Sequence, residues 1–324
     1  MSNTPRGDDD VPTDLERLDE ADACHDDDPT RSADLLRTID PAQLPPHRWP
    51  GLAYLLNHVL GEKLNRWDEA LHLQQRLISA AQPEPALVLW RQVGTAALLA
   101  GDTPRADEYT AALAHASGAP AARCADLLQL NAATFRVPGL HTGPAADVAL
   151  AALAPLAQPG WQADSPLDAS VAACANNLAN ALLEQPVAAL RQGPARAALT
   201  AAAEQAQRFW QRAGTWVQCE RALYLCAMVS NVLGEAAAAR AHALAALALI
   251  DANTGNRAAD PAEDVDRAFI ELERWHACAQ AGLAGEAAEA RRNADALAAR
   301  FDDDGLTAWF AQRVQALAAL SPAQ

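Results

Sequence analysis

Four times in this chain a residue suited to ending a helix is followed five positions later by alanine. The pairs are Asn65 and Ala70, Gly101 and Ala106, Gly234 and Ala239, and Gly285 and Ala290. Each break lies between two helix-length segments, and each pair of segments takes about 34 residues. A glycine at such a break supplies a left-handed cap to the helix before it. The alanine beyond it lets the second helix lie close against the first. The chain is therefore expected to be a row of helix pairs.

The composition points the same way. Of the 324 residues, 51% are hydrophobic but only 5% are aromatic, so the apolar content is mostly alanine and leucine. Both are strong helix formers. No segment alternates with period two between turn signals, and an all-α fold is expected. Lys63 is the only lysine among 25 basic residues. Alanine and arginine used so heavily suggest a bacterial, high-GC coding sequence.

A formal net charge of −16 argues against non-specific nucleic-acid binding, which needs a basic surface. It also disfavours an anionic lipid surface. No stretch reaches the ~18 apolar residues needed to span a membrane. The N-terminus MSNTPRGDDD lacks the pattern of an export signal. A cytoplasmic protein with neither nucleic-acid nor membrane partners is expected. The six cysteines stand singly, without a CxxC pair, and read as buried small apolar residues. His25 beside Asp26, Asp27 and Asp28 reads as a solvated acidic turn rather than a cation site. No metal and no cofactor is expected.

Residues 1–12 read as a disordered acidic tail. Helical pairs are expected over 13–158, with a linker at 159–166 and further pairs with a capping helix over 167–324, continuous with the first array. Segments 14–24 and 29–39 would cap one end, and 305–320 the other.

Trp90, Val93, Gly94 and Ala97 fall where tetratricopeptide repeats carry W-x2-L-G-x2-Y, with Gly101 closing that helix, Ala106 in the next and Pro120 near the terminal proline. Ala97 replaces the aromatic, and Thr110 replaces a large apolar residue. The chain resembles a tetratricopeptide-like family. The resemblance implies a right-handed superhelical array of antiparallel helix hairpins, an α-solenoid with a concave groove.

The stretch NNLANALLE, residues 176–184, is the most unusual helix. With Asn176 set at zero, Asn177 lies at about 100°, Asn180 at about 40° and Glu184 at about 80°, one polar stripe. Leu178 and Leu182 fall on the opposite face. NLANALLE is similar to the family's N-L-G-N-A-Y motif, whose asparagines face the groove and grip a peptide backbone. The resemblance assigns that role to Asn177 and Asn180, with Asn176 beside them. An amide both donates and accepts, which suits it to a peptide unit. Counting back from Gly234 places Arg221, Tyr224 and Met228 in the same groove. Counting back from Gly285 adds Trp275 and His276, and Arg91, Gln92 and Thr95 take the matching places before Gly101.

No nucleophile elbow, Walker loop, Rossmann fingerprint or HExxH is present, and the chain is not expected to be an enzyme. The expected role is binding another protein or a peptide in the groove, with a basic partner and a homodimer both open. Two alternatives remain. One is a sensor of a small peptide or metabolite. The other is an α/α-toroid lyase using Asn177, Arg221, Tyr224 and His276.

Overall fold

Short polar side chains start the helices. In the computed structural model, which describes residues 12–81, 84–255 and 260–320, Thr13 opens α1 (Asp14–Cys24) with a capping box to Glu16. Asp28 accepts from the Arg31 N–H at 3.0 Å to open α2 (Pro29–Thr38), with Pro29 at its first position. Asp102 does the same for α6 (Thr103–Ser117), and Asp260 for α14 (Pro261–Gln280). The acidic tail expected at 1–12 falls almost wholly outside the described residues.

Every described element is helical, and none is a strand. No described helix is long and apolar enough to cross a membrane. Two compact units divide between Phe135 and Arg136.

The first unit holds α1, α2, α3 (Trp49–Leu55), α4 (Trp67–Ala80), α5 (Leu87–Ala100), α6 and α7 (Ala121–Arg136). Directly after α3 the backbone widens into a π-helix, Leu56–Lys63, a form that is rare and clusters at functional sites. Asn65 follows with φ 53°, the left-handed residue expected in the glycine place. Gly101 caps α5 at φ 76°. A Cβ at Gly94 would sit 2.8 Å from Leu128 Cδ1 and 3.4 Å from Tyr109 Cβ, so the small residue leaves room for the Leu128 side chain and the Tyr109 stem against α5.

Buried amides join these helices. Gln74 of α4 donates to Asn57 Oδ1 at 3.0 Å. Asn57 of the π-helix donates to Gln92 Oε1 of α5 at 2.8 Å. Asn131 of α7 donates to Gln92 Oε1 at 3.4 Å and to Thr95 Oγ1 at 2.8 Å. All five side chains are buried. Gln92 and Thr95, expected in a groove, are thus internal connectors of the first unit.

The second unit holds α8 (Thr142–Leu153), α9 (Asp168–Leu183), the single turn α10 (Val187–Leu190), α11 (Gly193–Ala213), α12 (Trp216–Leu233), α13 (Ala236–Thr254), α14, α15 (Ala284–Ala298) and α16 (Asp304–Leu320). Neighbours pack in series. α11 lies on α8 and α9, α12 on α13, α13 on α14, and α14 on α15. Ala227, Ala243, Ala246, Ile250 and Ile270 form the core between α12, α13 and α14.

Residues 159–166, expected as a linker, are built into this unit. Trp161 is buried edge-on against Phe209 at 5.9 Å. Arg212 donates to the carbonyls of Trp161 and Gln162, each at 3.0 Å. A second expectation also changes. Gly234 caps α12 at φ 78°, but the left-handed glycine after α14 is Gly282 at φ 71°, and Gly285 lies inside the first turn of α15. Gly282 and Ala287 repeat the five-residue spacing, so the true register is three residues earlier.

Replacing Gln92 with methionine removes the acceptor shared by Asn57 and Asn131. Urea denaturation should show a loss of about 1–3 kcal/mol, while Gln129→Met on the exposed side of α7 should cost almost nothing.

Candidate functional site

The asparagine stripe of α9 survives folding as an open surface. Asn177, Asn180 and Glu184 are exposed and Asn176 is half-buried. Leu178 and Leu182 point the other way and are fully buried. Asn180 Nδ2 donates to the Asn176 carbonyl at 3.1 Å, a bond within its own helix that leaves its side-chain oxygen free. The Asn177 amide and the Glu184 carboxylate have no hydrogen bond or ion pair among the described residues. Three asparagines are weak helix formers, and here the fold takes almost nothing from them.

The other expected site residues are placed differently. Arg221 is exposed and paired with Asp266 at 3.1 Å. Arg221 and Asp266 line a cavity of about 480 Å³ with Asp264, Arg300, Phe301 and Leu306, and a second ion pair joins Arg300 to Asp264 at 3.0 Å. Arg91 lies in the first unit, half-buried, with its Nε enclosed and unpartnered.

Trp275 and His276 do not share an open face. The three-residue shift in the cap turns Trp275 toward α15, where the Arg291 guanidinium sits 4.9 Å from its ring centre. His276 is 3% exposed and contacts Gln280 Nε2 at 3.2 Å. Burial lowers its pKa, against the pull of Glu273, so the ring is neutral near pH 7.

Tyr224 and His276 instead border a buried charge that the sequence reading did not single out. Glu273 of α14 is fully buried. Asn231 of α12 donates to its Oε2 at 2.8 Å. Arg313 of α16 donates through Nε to its Oε1 at 2.6 Å. Burial raises the Tyr224 phenol pKa, and the Glu273 carboxylate pushes it the same way. Next to this pair, Phe310 and Trp309 of α16 meet Phe269 at 5.8 and 4.3 Å. At the far end Arg191 donates to the Val232 and Leu320 carbonyls at 2.7 and 3.3 Å, tying α12 to α16. The final helix thus packs on the side of α14 that carries Phe269 and Glu273. In the corrected register Phe269, Leu272 and His276 stand where Arg221, Tyr224 and Met228 stand in α12. With that register, Phe269, Glu273 and His276 would have read as one face at i, i+4 and i+7.

No hydrogen bond, ion pair or ring contact joins the α9 asparagines to Arg221, Tyr224 or His276. The set proposed for a toroid lyase is therefore split between an exposed stripe, a surface ion pair and a buried polar cluster. No protein-family model and no curated protein matches the chain.

A second buried acid stands at the start of α12. Glu220 is 1% exposed, and neither carboxylate oxygen has a hydrogen-bond partner. Burial, helped by nearby Asp266, raises its pKa from the ordinary 4.5 to about 8. The folded state keeps this proton after the unfolded chain has lost it. The group's contribution is full below about pH 4.5 and falls away as pH rises to about 8. Urea titrations of wild type and Glu220→Gln should agree near pH 4.5. They should diverge above it, with the variant more stable at pH 8 by an amount on the order of 3–5 kcal/mol.

Proposed function

We propose that the chain is a tetratricopeptide-like α-solenoid whose role is to bind another protein or a peptide, without catalysing a reaction. The observation that carries this reading is the amide stripe of α9. Asn177, Asn180 and Glu184 are held on a rigid helix, exposed, and not used by the fold. Preformed amides on a helix can take an extended peptide by its backbone at little ordering cost. Support for the family comes from the buried small residues after the breaks, Ala70, Ala106, Ala239 and Ala287, and from the left-handed caps at Asn65, Gly101, Gly234 and Gly282.

Tyr224 and Trp275 are half-buried and His276 is buried, so Arg221 is the exposed member of this set. A ligand crossing α9 meets amides and one carboxylate, which suits a basic or neutral peptide. Electrostatic steering by the net charge of −16 would weaken with salt. The small-ligand sensor keeps one observation in its favour, the cavity of about 480 Å³ rimmed by Arg221, Asp264, Asp266 and Arg300.

The test is partner capture by wild type beside an Asn177→Ala/Asn180→Ala variant of matched helicity and melting temperature. A partner held by wild type should bind the variant roughly tenfold or more weakly, two hydrogen bonds at about 1 kcal/mol each. Equal binding of every partner would remove the stripe from the binding surface.

A further inference from the structure

The π-helix brings together a group of side chains that neither the amide ladder nor the α9 surface uses. His25 and Asp26 follow the end of α1, and His58 projects from the third position of Leu56–Lys63. One ligand atom from each of the three lies within 4.8 Å of the others. Asp26 Oδ2 is 3.4 Å from His25 Nε2, and Asp26 Oδ1 is 3.7 Å from His58 Nε2. Both separations are longer than a well-formed hydrogen bond of about 2.7–3.2 Å. They are close to the spacing of ligand atoms around one ion at about 2.0–2.2 Å from each.

The imidazoles are oriented for this. His58 Nδ1 lies 2.7 Å from Glu62 Oε2, and an ionised carboxylate only accepts. Nδ1 therefore carries a proton, and Nε2 is the ring nitrogen that faces Asp26. His25 Nδ1 meets the Asp22 carbonyl, also an acceptor only, which leaves its Nε2 facing Asp26 in the same way. A metal-binding histidine with its other nitrogen held by a carboxylate or a carbonyl has this arrangement. The Tyr54 ring stacks on His58 at 5.3 Å and fixes its plane. Against Asp26 the fold already sets a cation, the Lys63 ammonium at 2.9 Å. Asp26 itself is two-thirds exposed, so an ion can reach it from solvent.

The π-helix carries His58, Glu62 and Lys63. Leu64 N–H donates to the Val59 carbonyl at 3.1 Å, five residues back. The wider turn stacks His58, Glu62 and Lys63 on one side. Gly61 lets the Trp67 indole lie against this turn, because a Cβ there would lie 2.3 Å from it.

We propose that His25, Asp26 and His58 form a binding site for a divalent transition metal of the zinc class, with Glu62 positioning His58 and water completing the coordination. Two neutral imidazoles and one carboxylate are a donor set that takes such ions in preference to calcium or magnesium. The ion would pin the turn between α1 and α2 to the π-helix.

The test uses the full, untagged, metal-stripped chain. Cobalt(II) is titrated in and read by its visible ligand-field absorption, and zinc(II) is then added as competitor. The expected result is one equivalent of cobalt, displaced by zinc. Asp26→Asn, at an exposed turn that does not threaten folding, and His25→Ala should each lose roughly tenfold or more in affinity. Glu62→Gln should lose about 10–100-fold, while Lys63→Met, freed of the competing cation, should bind more tightly. Absence of a one-to-one complex overturns the proposal. So does binding that is unchanged in Asp26→Asn and His25→Ala, which would place the ion on other histidines or on cysteines.

Discussion

A buried carboxylate decides how the second unit closes. Glu273 lies fully inside it, and an isolated charge there would be costly by several kcal/mol. Asn231 and Arg313 meet that cost from two different helices. Because Arg313 sits on α16, the last described helix must pack on α14, and Phe310 and Trp309 then cover Phe269. The three helices are specified by one charge. The first unit uses neutral groups to the same end, where Gln92 links the π-helix, α5 and α7 through shared amides.

These two devices explain why similar polar residues have different fates. Asn57, Asn131 and Asn231 are structural because each faces a neighbouring helix and finds an acceptor. Asn177 and Asn180 face solvent on α9, with Leu178 and Leu182 taking the buried side. Composition cannot separate the two groups, but position on the helix can. The α9 stripe is legible as an amphipathic face because the pattern is local to one helix.

Other features were legible for the same reason. The caps at Asn65, Gly101 and Gly234 and the start of α2 depend on residues within a turn of each other. What the chain concealed is non-local. Glu273 and Arg313 are 40 residues apart, and nothing in ELERWHACAQAG marks its two glutamates, Glu271 and Glu273, as buried. Choosing Gly285 rather than Gly282 as the cap rotated the α14 face by three residues. That brought Trp275 into the expected groove and left Phe269 and Glu273 out. His25 and His58 are also remote in sequence, and only the fold brings them together. Trp161 likewise reads as part of a loop until Phe209 and Arg212 close over it.

The Glu273–Arg313 pair holds α16 on α14. The most direct measurement is a double-mutant cycle on Glu273→Gln and Arg313→Met, followed by urea denaturation. If the claim is right, Arg313→Met strands a buried charge and costs about 3–5 kcal/mol. Adding Glu273→Gln should then restore part of that loss, with a coupling of about 1 kcal/mol or more. Two small effects that add to within about 0.5 kcal/mol would mean that the pair does not hold α16, and the account of how the second unit closes would be contradicted.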